Sequence, residues 1–275
     1  MNRLFVAYKP IFISSNHYLS RLKRRYGVKK AGFSGTLDPF ACGTLLIAFG
    51  AYTKLFPYLA KYPKTYVATL WLGALSESLD IERISHVGEV PKYSIEEIRR
   101  VLGSFQGQIT YTPPKYSAKK IGGKRAYTMV EKDITLPEVT STIYSIKLLR
   151  YAYPFVTFEA TVSEGTYIRS LGELIAKRLG TVGALSYLER TREGRFVYEK
   201  ECPLDPLDYL ISQPNSTTLD AEAIRHGKCL RLQDLTIQKE GLYHLVFEDF
   251  FTIIEIKEGA VRYRLNNIPR ARYAG

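Results

Sequence analysis

The sequence has few of the side chains that bind transition metals or form disulfides. It contains three cysteines and four histidines among 275 residues. A zinc site needs three or four such ligands at short spacings, and Cys42, Cys202 and Cys229 stand far apart. We therefore expect no metal and no disulfide framework. The sparse cysteine usage favours the reducing cytoplasm.

Long hydrophobic runs are also missing. No stretch approaches the roughly 20 apolar residues of a transmembrane helix, and residues 1–9 lack the basic stretch and long apolar core of a signal peptide. We therefore expect a cytoplasmic protein without membrane association. The composition, 45% hydrophobic and 24% charged, is that of a globular chain. Its length fits one large domain, or a large domain and a small one.

Positive charge is in excess and unevenly distributed. The net charge is +12, yet residues 206–275 carry nine basic and nine acidic side chains, so the whole excess lies in residues 1–205. A basic surface with many aromatic residues nearby suits RNA, although charge alone fits a basic protein without a special partner equally well. The cations form three groups: Arg21, Lys23, Arg24, Arg25, Lys29 and Lys30; Lys115, Lys119, Lys120, Lys124 and Arg125; and Arg190, Arg192 and Arg195.

Strand and helix patterns are mixed without strict alternation, which predicts an α+β protein with a large mixed sheet. We expect helices that begin after Ser14 or Ser15, at about residue 51, after Ser94, and after Thr166 as an N-cap. Strands are predicted over residues 4–7, 44–49 and 66–72 and on both sides of Tyr153-Pro154.

A domain boundary is predicted at residues 202–206, where two prolines follow a cysteine. It divides the chain into a large domain, residues 1–205, and a small one, residues 206–275. The small domain has strand-like stretches at 230–237, 243–247, 251–256 and 261–265, which is typical of a small barrel or sandwich.

Two residues stand out as candidates for chemistry. Asp38 lies in a glycine-rich loop, residues 32–43, before Pro39; taken alone, it is typical of a turn. Arg169 falls in the first turn of a predicted helix, where a cation opposes the helix dipole at a cost of roughly 0.3–1 kcal/mol. That position is better explained if Arg169 faces a carboxylate or a phosphate, and a surface arginine is the alternative. Tyr66 and Leu188 are, by pattern alone, core residues.

Several ordered blocks nevertheless resemble one family, the bacterial tRNA pseudouridine-55 synthases of the TruB type. They extend over roughly the first 200 residues, and chance agreement at so many ordered positions is improbable. The blocks are Lys9-Pro10 with Ser14-Ser15-Asn16, residues 31–43, Gly50 with Thr53-Lys54, Lys64-Thr65-Tyr66, Leu72-Gly73, residues 113–119, residues 165–169, and Leu188-Glu189-Arg190-Thr191.

The resemblance implies a pseudouridine synthase fold followed by a small C-terminal domain of the PUA type. It implies that Asp38 is the essential aspartate, that Arg169 pairs with it, and that Tyr66 stacks on the target base and is a candidate for handling its proton. Leu188 would pack against the flipped base, with Tyr167 in the same pocket wall. Further expected substrate-binding residues are Lys9, Phe33 and Lys54.

The implied activity is isomerisation of the T-loop uridine of tRNA, by a monomer that contacts the T-arm. No redox or phosphoryl step occurs in it, so no cofactor is expected. Three positions depart from the usual family pattern: Phe33 replaces a histidine, Phe12 a glycine, and Val67 a basic residue. Two alternatives are a non-catalytic tRNA-binding or tRNA-folding protein on the same scaffold and a synthase for another RNA. The intact Asp38, Tyr66 and Arg169 argue against a pure binder.

Overall fold

The computed structural model describes residues 1–114, 116, 120–121, 124–125 and 137–270. Within these residues the chain forms one large mixed sheet with helices and a smaller sheet near its C-terminal end. This confirms the predicted α+β class with a large mixed sheet and an added β-rich part. The helices are α1 (Ser15–Arg25), α2 (Ile95–Gly103), α3 (Ile168–Arg178) and α4 (Ala221–Arg225); 3-10 turns span Gly50–Tyr58, Ile81–Arg83, Pro206–Tyr209 and Leu232–Asp234.

Nine strands of the described chain build the large sheet. They are β1 (Arg3–Lys9), β2 (Ala31–Phe33), β3 (Cys42–Phe49), β4 (Lys64–Leu72), β7 (Gly107–Tyr111), β10 (Val139–Ala152), β11 (Phe155–Val162), β12 (Gly183–Glu193) and β13 (Phe196–Val197). Two short ribbons lie outside it: β5 (Ala74–Ser76) with β6 (Ile84–Val87), and β8 (Lys120–Ile121) with β9 (Lys124–Arg125).

The order across the large sheet is β1-β3-β12-β4-β11-β10-β7, with β2 beside β3 and β13 beside β12. Neighbours along this order run antiparallel except β3 and β12, which run parallel. At that contact Gly43 lies so close to β12 that a Cβ there would stand 2.4 Å from the Arg190 carbonyl oxygen. A side chain at residue 43 would therefore separate the two strands that flank the loop of Asp38.

Burial along β4 follows the two-residue period of a strand. Tyr66, Ala68, Leu70 and Leu72 are buried, as their alternation predicts, and they face a core formed with α2 and α3. Strands β1 and β3 are covered on both faces. Phe5 and Leu45 face α1, whereas Leu4 and Leu46 face residues of the C-terminal sheet.

Three predicted elements differ in the structure. Thr166 is not the N-cap of α3, because its hydroxyl donates to the Ser163 carbonyl at 2.9 Å and Tyr167 takes the cap position instead. The helix expected from about residue 51 is present, but it is a 3-10 helix, Gly50–Tyr58, rather than an α-helix. Residues 230–237 form no strand. There the Asp234 carboxylate accepts from the Arg231 backbone amide at 2.9 Å across a 3-10 turn, and Leu230 and Leu235 pack into the C-terminal core.

The C-terminal sheet contains β14 (Gln213–Asn215), β15 (Gly241–Val246), β16 (Phe250–Lys257) and β17 (Ala260–Pro269) in that order. Its two faces belong to different cores. Phe251 and Ile253 pack with Leu4 and Leu46 of the large sheet, while Ile254 packs with α4 and its neighbours. The domain division at residue 205 and the PUA type of this part stay predictions. No helix in the described ranges is long and apolar enough to cross a membrane.

Candidate active site

A cavity of about 300 Å³ opens at the centre of the large sheet, beside the loop that precedes β3. This volume is at the lower end of the range for small-molecule sites in proteins. Asp38 and Arg169 lie on its wall, together with Tyr66, Tyr167 and Leu188. The structure therefore brings together five of the eight residues predicted for the site. The other lining residues are Gly35, Thr36, Leu37, Lys64, Ser163, Glu164, Gly165, Thr166, Ile168 and Arg190.

The loop of Asp38 is held by groups from two neighbouring elements. The Ser15 hydroxyl at the start of α1 both accepts from the Leu37 amide and donates to the Leu37 carbonyl, each at 3.0 Å. From β1, the Lys9 ammonium donates to the Pro39 carbonyl at 3.3 Å. These bonds reach the residues directly before and after Asp38, so they fix where its carboxylate points.

Arg169 is buried between two carboxylates. Its Nε and Nη2 contact Asp38 Oδ2 at 2.9 Å and Oδ1 at 3.1 Å, a bidentate arrangement. Its Nη1 donates to Asp80 Oδ2 at 3.2 Å and to the Ser78 carbonyl at 2.7 Å, and Nη2 also donates to the Tyr116 carbonyl at 2.8 Å. A guanidinium presents its donors in a planar fork, so one side chain can hold several acceptors at once.

Burial and charge act against each other on Asp38. Burial raises the pKa of Asp38, and the Arg169 guanidinium beside it opposes that rise, while the Asp80 carboxylate adds to it. Burial also raises the pKa of Tyr66; its hydrogen bond with Arg190 and the positive charge of that residue counter the rise in part. The site therefore presents a neutral phenol and a carboxyl group whose ionised form the Arg169 guanidinium favours.

Beneath the loop lies a second, fully buried charge cluster. The Glu193 carboxylate at the end of β12 contacts Lys64 at 3.3 Å and Arg190 at 3.4 Å, and it accepts from the Ser34 hydroxyl at 2.7 Å. Arg190 was predicted to belong to a group of phosphate-binding cations. That role does not fit, because its side chain is 1% exposed and already occupied. Arg192 and Arg195 of the same group are exposed.

Three predicted substrate-binding residues lie outside the cavity wall. The Lys9 side chain is 0% exposed, and its ammonium donates to the carbonyls of Pro10, Ile13 and Pro39, so it supports the loop rather than facing the cavity. Phe33 packs against the core beneath α1. Lys54 is exposed on the 3-10 turn after β3.

The first basic group is on the surface, with Arg21, Arg24, Arg25, Lys29 and Lys30 exposed. The second basic group cannot be placed in the same way. Lys115 and Lys119 lie outside the described residues, as do the side chains of Lys120, Lys124 and Arg125. Within the described residues, no group of three or more His, Cys, Asp or Glu side chains is arranged to hold a metal ion.

Sequence reasoning missed Asp80, Ser78 and Glu193. Asp80 accepts a hydrogen bond from the Glu82 amide at 3.0 Å and so caps a 3-10 turn. The local sequence alone therefore indicates only a capping role for Asp80. Its second role, holding Arg169, joins residues 89 positions apart and leaves no local pattern. Glu193 stands in a strongly charged stretch, residues 189–195, which is typical of a solvent-exposed segment, so no local signal marked it as buried.

Comparison with solved structures supports the fold. The chain superposes over 98% of its length on a protein in the "Cbf5-Nop10-Gar1 Complex", with a TM-score of 0.71 and 22% identity, covering 85% of that chain. A second match, at TM-score 0.69 and 21% identity, is to the "H/ACA RNP bound to a substrate RNA containing 2'-deoxyuridine", covering 86% of that chain. At these identities the likeness shows the fold of the chain.

Sequence comparison is more specific. The profile of the TruB family pseudouridylate synthase N-terminal domain matches residues 23–168. Relatives named tRNA pseudouridine synthase B occur in Nitratiruptor sp., 60% identical over 98% of this chain and 99% of that one, and in Campylobacter jejuni strain RM1221, 46% identical over 98% and 100%. The chain belongs to the TruB family of pseudouridine synthases and is therefore an isomerase.

Proposed function

We propose that the protein converts the T-loop uridine of tRNA, position 55, to pseudouridine, with Asp38 as the catalytic carboxylate. The observation that carries the proposal is the bidentate contact of Asp38 with Arg169 at the wall of a cavity lined by Tyr66 and Leu188. The names of the relatives, tRNA pseudouridine synthase B, support tRNA as the substrate.

The reaction breaks the bond between C1′ and N1, turns the uracil within the site, and forms a bond between C1′ and C5. N1 gains a proton and C5 loses one, so atoms balance without a redox step. Asp38 can act as a nucleophile at C1′ or C6, or as a base at C2′. Each of these routes needs the ionised carboxylate, which the Arg169 guanidinium favours.

The target base must leave its stack to reach Asp38. Tyr66 and Leu188 offer an aromatic face and an apolar surface that can receive it. Outside the cavity, the exposed cations of α1 and the residues after it can contact phosphates, with Arg25 also paired to Glu201 at 3.1 Å. Contact with the T-arm belongs to this proposal.

The proposal includes a monomer as the active unit. It also places the reaction in the cytoplasm.

The test is release of tritium from tRNA transcripts that carry 5-tritiated uridine. The wild type should release it, and a transcript with cytidine at position 55 should lose that release. Asp38→Asn should be inactive while tRNA affinity is largely kept, because the amide has no anionic oxygen. Asp220→Asn is the matched control: Asp220 caps α4, far from the cavity, and asparagine is an equally good cap.

Equal release by the wild type and Asp38→Asn would refute the role of Asp38. Tight tRNA binding without release by the wild type would instead favour the non-catalytic binder. Arg169→Ala should lower turnover far more than affinity, because Arg169 is buried and contacts carboxylates. A change in affinity alone would make Arg169 a phosphate contact.

A further inference from the structure

Glu193 lies at a position where a carboxylate is costly unless it is fully paired. Its side chain is 0% exposed, and it faces the cations of Lys64 and Arg190, which are 8% and 1% exposed. It also accepts a hydrogen bond from Ser34, four residues before Asp38. One buried anion thus joins the ends of two central strands to the loop that carries Asp38.

Arg190 extends the same connection to the loop backbone. Its Nη2 donates to the Gly35 carbonyl at 2.9 Å, and its Nε donates to the Thr44 carbonyl at 2.9 Å. These carbonyls stand on the two sides of the loop, before and after Asp38. With its guanidinium held by Glu193, Arg190 therefore clamps the loop at both ends.

Gly35 shows how closely the loop is seated on this cluster. Its φ is +61°, and a Cβ built there would stand 2.6 Å from Lys64 Nζ and 3.3 Å from Glu193 Oε1. The loop backbone therefore rests directly on the charged groups, so their positions are transmitted to Asp38 without an intervening side chain.

Tyr66 is connected to the cluster as well. It lies opposite Arg190 in the antiparallel pairing of β4 and β12, so the two side chains stand on the same face of the sheet, and the positive charge of Arg190 acts on the phenol. The two groups that the proposed function places on the target base, Asp38 and Tyr66, are thus held by one network with a single anion.

We propose that Glu193 is a positioning residue of the synthase: its buried carboxylate, through Lys64, Arg190 and Ser34, sets the Asp38 loop and Tyr66 against the bound uridine. The inference rests on the proposed function, because a position matters only if Asp38 and Tyr66 act on the base. Displacements of about 1 Å in a catalytic site can lower turnover about 100-fold.

The test compares Glu193→Gln with wild type in the tritium-release assay at saturating tRNA. We expect kcat to fall about 10- to 100-fold, with the Kd for tRNA unchanged, because Glu193 does not reach the surface. Glu193→Asp keeps the charge and should recover part of the loss. Glu159→Gln is the matched control, since its ion pair with Lys147 is a partly exposed contact on β11 away from the cavity.

The pH profile separates positioning from simple loss of charge. Removing a negative charge acts directly to lower the pKa of nearby acids. If Glu193→Gln instead loosens the contact of Asp38 with Arg169, the pKa of Asp38 rises, and the acid limb of kcat moves to higher pH. Only the positioning role predicts an upward shift.

Ser34→Ala provides a milder variant in case Glu193→Gln fails to fold. It removes one hydrogen bond and leaves both ion pairs, so we expect a several-fold lower kcat in a folded protein. Wild-type kcat and acid limb in both variants would overturn the inference and leave the proposed function intact. No turnover by the wild type would refute the proposed function and, with it, the role of Glu193.

Discussion

The C-terminal sheet should stabilise the large sheet directly, and two neighbouring residues of β16 allow a matched test. Ile253 and Ile254 are both 0% exposed, but Ile253 packs with Leu4 and Leu46 of the large sheet, whereas Ile254 packs within the C-terminal core. Truncation of a buried isoleucine to alanine costs about 2–5 kcal/mol. At about 2–4 °C per kcal/mol for a chain of this size, each variant should melt roughly 4–20 °C lower.

Hydrogen exchange distinguishes the two variants. Ile253→Ala leaves a cavity against β1 and β3, so amides of those strands should exchange faster than in the wild type under native conditions. Ile254→Ala should speed exchange in β15 to β17 first, because its cavity lies on the other face. The same exchange pattern in β3 for both variants would refute the claim that the C-terminal sheet supports the strand following the Asp38 loop.

Two further predictions concern the loop and its supports. Gly35→Ala should destabilise the protein and lower turnover, because the new Cβ meets Lys64 Nζ at 2.6 Å. Gly180→Ala is the control, because Gly180 has a φ of +76° with open space around it. Denaturant unfolding of this control should show only the backbone strain, about 1–2 kcal/mol. Burial lowers the pKa of Lys9 to about 8 from 10.5, so between these values the unfolded chain binds more protons at Lys9 than the native one. The free energy of unfolding of the wild type relative to Lys9→Met should therefore rise with pH across that window, by roughly 3 kcal/mol at most; a difference that falls with rising pH would contradict it.

Those parts of the fold with a regular hydrophobic period were predictable from the sequence. The alternation of β4 and the helical spacing of Ile168, Leu171 and Ile175 in α3 both predict the buried faces correctly. Strand β12 lies at the centre of the sheet and was missed. Two irregularities in its pairing with β4 break the alternation, between Leu185 and Tyr187 and between Arg190 and Arg192. The buried charge of Arg190 also looks like a surface residue to any pattern based on hydrophobicity.

The residues of the candidate site were predictable only where they lie in a block of sequence that resembles the family. Asp38, Tyr66 and Arg169 lie within blocks that resemble the TruB family, and the structure brings all three to one cavity. Asp80 and Glu193 contribute through contacts that bridge 89 and 159 positions in the chain. Such contacts depend on how strands are ordered in the sheet, and strand order is not a property of any local segment.

Arg169 occupies a helix position that is unfavourable for a cation, and its contacts in the site explain why. A cation in the first turn of α3 opposes the helix dipole by roughly 0.3–1 kcal/mol, yet its guanidinium is engaged by the carboxylates of Asp38 and Asp80. Burial and the Asp80 carboxylate raise the pKa of Asp38, and the Arg169 guanidinium opposes that rise. The position that is unfavourable for the helix is thus the one from which a single planar cation reaches both acids and favours the ionised form of Asp38.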